Sequence, residues 1–106
     1  MKGIFIWRAQ VGQEDEFVRR WETQSQSIQM YPGARGTLLH RSVDDPRLFV
    51  GYPSWDSLQD RVEAFRRREA DGWPPDTHDE ISEVLFTGFF DDPYISVQPQ
   101  PYRKPS

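Results

Sequence analysis

The element order β-α-β-β-α-β, readable along 106 residues, predicts an α+β, ferredoxin-like domain with a four-stranded antiparallel sheet. Three observations predict it. Short apolar runs alternate with two segments of helical spacing. Turn signals, above all Pro32-Gly33, Asp44-Asp45-Pro46 and Pro74-Pro75, separate them. Bulky apolar residues fall on both faces of the first strand, Ile4 and Ile6 on one and Phe5 and Trp7 on the other, more than two helices on one side can cover.

Residues 3–9 read as the first strand. Residues 13–30 read as a helix: Glu14, Asp15 and Glu16 suit the positive end of its dipole, and Phe17, Trp21 and Ile28 form its apolar stripe. Glu16 and Arg20 are spaced as an i,i+4 pair. Pro32-Gly33 ends the helix. Residues 36–43 and 47–52 read as a hairpin turned at Asp44-Asp45-Pro46. Ser54 is the expected N-cap of a second helix whose stripe is Trp55, Leu58, Val62 and Phe65. Arg66, Arg67 and Arg68 occupy its last full turn, where cations suit the dipole, Gly72 closes it and Pro74-Pro75 bar its continuation. Thr77-His78-Asp79-Glu80 fits a capping box opening a short helical turn. Residues 83–90 read as the last strand. The domain therefore spans 1–91, and 92–106 is an extended tail carrying Pro93, Pro99, Pro101 and Pro105.

Composition narrows the function classes. Thirteen basic against 17 acidic side chains give a net charge of −4, with no basic stripe for nucleic acid. There is no cysteine, so disulfides, thiolate metal sites and cysteine nucleophiles are excluded, and a reducing cytoplasm fits. The apolar run at the N-terminus is too short for a signal peptide or a membrane span. Seven Phe, four Trp and four Tyr are many rings for one thin core, so some are expected to line a pocket or a subunit interface. The half-covered sheet predicts a homodimer, each copy shielding the other.

The stretch from Pro32 through Gly33, Arg35, Gly36, Leu38, Leu39 and His40 to Ser42, followed by Asp45-Pro46, Phe49-Val50 and Trp55-Asp56-Ser57, resembles the antibiotic biosynthesis monooxygenase domain in order and spacing. The resemblance covers roughly residues 1–91. It implies a dimeric α+β barrel with a pocket between sheet and helices in each subunit. Members include cofactor-free oxygenases of aromatic polyketides and haem-degrading enzymes, and polyketide cyclases are related. Haem-degrading members share a strand-one Asn and a His inside helix two. Here the first position is Trp7, and no His lies between Trp55 and Glu69, so the haem ligand has no counterpart.

No phosphate loop and no metal-ligand spacing is present, so no cofactor and no metal are expected. The chemistry then expected is cofactor-free oxidation of a small aromatic or polyketide-derived compound whose own electrons reduce oxygen. His78, His40 and Trp55 are the catalytic candidates: the imidazoles titrate nearest neutrality, and Trp55 matches the family's Trp by resemblance. Trp7, Trp21, Gln24, Ser25, Tyr52 and Phe65 are the expected pocket residues, with Gln24 and Ser25 interrupting the apolar stripe of helix one. Arg8 and Arg41 are strand cations able to face an oxyanion. A non-oxidative cyclase or isomerase, and a dimeric binding protein without activity, are the alternative readings on the same fold.

Overall fold

The computed structural model describes residues 1–105. Ser106, the end of the expected tail, lies outside the described residues. Strand β1 spans Lys2–Ala9, helix α1 Glu14–Ile28, β2 Leu39–Arg41, β3 Leu48–Gly51, α2 Leu58–Ala70 and β4 Ser82–Phe90, with a 3-10 turn His78–Ile81 before β4. All strand pairings are antiparallel, in the order β2-β3-β1-β4. This is the ferredoxin-like α+β arrangement, with both helices on one face. No helix among the described residues is long and apolar enough to cross a membrane.

Register assigns the faces. Trp7 lies opposite Phe49, and Phe5 opposite Gly51 on β3 and Thr87 on β4. Alternation puts Gly3, Phe5, Trp7 and Ala9 towards the helices and Ile4 and Ile6 away from them. Leu85 is an extra residue in β4: Ile6 pairs with Phe86 but Trp7 with Val84. The bulge turns Val84 to the helix side. The far face carries Ile4, Ile6, Val50, Phe86 and Phe90, and the described residues leave Phe86 and Phe90 44% and 47% exposed.

The interior is divided. One cluster is Trp7, Ala9, Phe17 and Phe49; the other is Ile28, Tyr31, Trp55 and Ala64. Phe17, on the α1 stripe, is fully buried. Trp7 stacks on Phe5 with centroids 5.7 Å apart and meets Phe17 at 5.6 Å. The outer edge of its indole reaches over Gly51, where a Cβ would sit 2.7 Å from Cζ3 and 2.8 Å from Cη2. Gly33, with φ +88°, makes the turn after α1, and a Cβ there would collide with Asp60.

Several local expectations are corrected. The N-cap of α2 is Ser57, not Ser54: its backbone is extended and its hydroxyl accepts from Asp60 N at 3.1 Å. Ser54 instead bridges to Lys2. Trp55 therefore precedes the helix and pairs with Ala34. The later start rotates α2, so Leu58 and Val62 are 47% and 58% exposed, while Ala64 and Arg68 are buried. Arg68 is thus not a solvated helix end, as its ion pair with Asp76 at 2.8 Å shows. The strand expected over 36–43 shrinks to three residues, because Gly36 takes φ +93° and breaks the extended run. Helix α1 stops at Ile28, and residues 29–30 form a turn. Thr77 begins the 3-10 turn without a side-chain cap, its hydroxyl being used by Gln24. The Glu16–Arg20 pair forms at 2.8 Å. Residues 92–105 have no regular structure, and Tyr94, Ile95 and Val97 stand exposed among the described residues.

Substituting Gly51→Ala is expected to cost about 1–3 kcal/mol by overpacking against Trp7. Trp7→Phe should relieve part of that cost, so the double variant will melt higher than the two single effects added together predict. Thermal unfolding of the four proteins measures it.

Candidate functional site

Between the two apolar clusters lies a cavity of about 220 Å³. Its walls come from both helices, β1, β3, β4 and the segment that follows α2. Trp7 and Trp21 form one side, and Ile28, Trp55 and Phe65 the other. Trp7 is a wall rather than a plug: it is 5% exposed, and Gly51 gives it the depth to lie back. The β4 side is open, since Val84 and Thr87 line the cavity and are exposed.

His78 is 8% exposed and sits edge-on to Trp7, with ring centroids 5.3 Å apart, and to Phe17 at 5.8 Å. Two hydrogen bonds hold it. Gln24 Nε2 donates to Thr77 Oγ1 at 2.9 Å, which turns Gln24 Oε1 onto His78 Nδ1. An amide oxygen only accepts, so with the Gln24 amide in this orientation His78 Nδ1 is the donor. Ser82 Oγ donates to the His78 carbonyl at 2.9 Å and fixes the backbone. The Nε2 atom is 3.3 Å from Asp79 Oδ1. Burial pushes the imidazole below its ordinary value of 6.5; Asp79 and Asp76 oppose this in part and Arg68 adds to it. The ring is therefore neutral at neutral pH, and Asp79 is placed to stabilise the cation once Nε2 takes a proton.

The residues expected at a pocket divide cleanly by position. His78, Trp55, Trp7, Trp21, Gln24, Ser25 and Phe65 all line this cavity. His40 and Tyr52 do not. His40 is exposed on β2 opposite Val50, on the face away from the helices. Tyr52 holds Leu38 through backbone hydrogen bonds, with the Lys2 ammonium 5.4 Å from its ring centre. Arg8 lies 3.6 Å from Asp45, and Arg41 stacks over Phe49, so neither reaches the cavity.

Polar groups that sequence reasoning missed complete the lining: Arg61, Arg68, Asp76 and Gln29. Arg68 is 7% exposed, and besides Asp76 it donates to Ser27 Oγ at 3.4 Å. Arg61 sits over the rings of Phe65 and Phe89, with centroids 4.6 and 4.7 Å away. Burial lowers its guanidinium pKa, with Asp76 opposing from a distance. The signal for both arginines was their spacing: Arg61, Phe65 and Arg68 share one helix face. It was masked because the stripe read from Trp55 pointed the other way.

The model of the antibiotic biosynthesis monooxygenase family matches residues 4–70. Among solved structures, SnoaB, a cofactor-independent oxygenase from Streptomyces nogalater, superimposes with a TM-score of 0.66 at 17% identity, over 89% of this chain and 95% of that one. A candidate antibiotic biosynthesis monooxygenase from Bordetella bronchiseptica gives 0.62 at 19% identity, over 85% and 95% of the two chains. No curated protein matches the sequence significantly. At these identities the structural likeness speaks for the fold, while the family match spans more than half the chain. This chain belongs to the antibiotic biosynthesis monooxygenase family.

Proposed function

We propose that the protein is a cofactor-independent, monooxygenase-like enzyme that oxidises a small electron-rich phenol, of aromatic or polyketide origin, in the cavity between sheet and helices. The observation that carries this reading is His78: a buried, neutral imidazole with an assigned tautomer in an aromatic-walled cavity. Family membership and the fold shared with a cofactor-independent oxygenase support it.

The chemistry follows from those groups. His78 Nε2 removes the phenolic proton, and the Asp79 carboxylate stabilises the imidazolium. Gln24 holds Nδ1–H, so the ring neither rotates nor changes tautomer during the transfer. The phenolate transfers one electron to dioxygen; the resulting radical and superoxide combine at a ring carbon, and the peroxide anion takes the proton back from the His78 imidazolium to become a hydroperoxide. Loss of water from that adduct leaves a quinone. One oxygen atom enters the product, the other leaves as water, and all four electrons come from the substrate. Trp7, Trp21 and Trp55 keep the site dry, which protects the radical pair from bulk water.

The working unit in this reading is a homodimer. Phe86, Phe90, Ile4, Ile6 and Val50 form an apolar face that water would otherwise cover, and the same face of a second copy fits it by two-fold symmetry.

With mono- and dihydroxynaphthalenes, oxygen uptake above autoxidation is expected for the wild-type protein, falling about 10²–10⁴-fold in His78→Ala. Turnover without oxygen uptake would assign the site to a cyclase or isomerase instead. The wild-type rate should rise with pH through an apparent pKa below 6.5 and be flat at neutrality. The same depressed value means that the unfolded chain takes up a proton at His78 before the folded one. Wild-type stability should thus fall as the pH drops below 6.5 towards the folded pKa, a loss that His78→Gln lacks. For the dimer, Phe86→Lys should shift the sedimentation coefficient to the monomer value while leaving the circular dichroism spectrum unchanged.

A further inference from the structure

The charges around the cavity sum to zero, Arg61 and Arg68 against Asp76 and Asp79, but they are unevenly paired. Two guanidinium groups, Arg61 and Arg68, face it from α2, and Asp76 is committed to Arg68 at 2.8 Å. Asp79 is largely solvated, with its side chain 58% exposed, and lies against His78. Among the described residues no carboxylate oxygen comes within 4.0 Å of the Arg61 guanidinium. Its near neighbours are instead the faces of Phe5, Phe65 and Phe89. Stacking on rings compensates a desolvated cation only in part, because the in-plane N–H donors are left over.

A second donor in the same lining is also unused. Gln29 Oε1 accepts from Gly36 N at 2.7 Å, which fixes the amide, and its buried Nε2 has no hydrogen-bond partner. An aromatic-walled cavity that also presents a free guanidinium and a free amide N–H is matched by an acceptor-rich anion on a flat ring. Its volume of about 220 Å³ lies below the roughly 300–1,000 Å³ of drug-sized pockets, which suits one or two fused rings.

We propose that the natural ligand is a one- or two-ring aromatic acid whose carboxylate is held by Arg61, with Gln29 Nε2 as the second donor. This rests on the reading of the cavity as the substrate site, and it adds the substrate's charge. Arg61 is then the residue that separates an aromatic acid from its neutral analogues. The carboxylate end is anchored at α2, and the ring lies between Trp7 and Trp55, where His78 also borders the space.

Binding of 2-naphthoate and of its neutral isostere 2-naphthamide, followed by calorimetry on the full chain, tests this. The wild-type protein should bind the acid at least about tenfold more tightly than the amide. Arg61→Met, which keeps the apolar stem, should abolish that preference, so that the acid binds no more tightly than the amide. Arg61→Lys, which keeps the charge without the fork, should retain part of it. Equal affinity for the two compounds, survival of the preference in Arg61→Met, or failure of both to bind overturns the proposal. Should Arg61→Met not fold, the wild-type ranking and Arg61→Lys decide. The two readings fail separately. Acid-selective binding with no oxygen uptake on any hydroxylated naphthoate would remove the oxygenase and keep the anion site. Equal oxidation of a hydroxylated naphthoate and its amide would do the reverse.

Discussion

The packing of the Trp7 indole against the bare backbone of Gly51 is the contact on which the interior depends. A two-layer domain of this size has little depth, and an indole standing upright from β1 would occupy the space between sheet and helices. Because residue 51 has no side chain, the edge of the ring fills the space there, while the ring stacks on Phe5 and meets Phe17 and His78. The apolar core is thereby divided into two clusters instead of one, and the gap between them is the cavity.

That gap determines the chemistry of what borders it. Polar side chains at its wall are removed from water and must find partners in the protein. His78 finds Gln24 and Asp79; Arg68 finds Asp76, Ser27 and the Gln24 carbonyl. These contacts tie the segment after α2 back to α1, so the histidine is held by its surroundings although it opens only a short 3-10 turn. The groups left without partners, the Arg61 guanidinium donors and Gln29 Nε2, are the ones that a ligand would satisfy. Structural and functional roles thus separate by whether a polar group's hydrogen bonds are already made.

Much of the architecture was legible in the chain. The strand–helix order, the breaks at Pro32-Gly33 and Pro74-Pro75, the acidic first turn of α1 and the surplus of apolar residues on the far sheet face are local patterns, and local patterns survive folding. Seven of the nine expected site residues border the cavity because helix periodicity and strand alternation assign each side chain to a face. His40 and Tyr52 do not border it: β2 is so short that its extent and register could not be read around Gly36, and Tyr52 follows Gly51 and so alternates to the opposite face from the cavity, beside Lys2. The second helix was harder still. Placing its start at Ser54 in place of Ser57 rotated the stripe and hid Arg61 and Arg68 on the inner face.

By itself, then, the sequence determined which segments form strands and helices and that one sheet face is left apolar, since both follow from residue spacing and turn chemistry. Only the tertiary structure decided that Trp7 is a wall and not a plug, that Arg68 is paired and Arg61 is not, and that His78 is buried against Gln24, with its pKa lowered. Those outcomes depend on distances between residues far apart in the chain: Trp7 to Gly51, Gln24 to His78, Arg68 to Asp76. Desolvation and hydrogen-bond pairing are properties of a place in space, and no spacing along the chain encodes them.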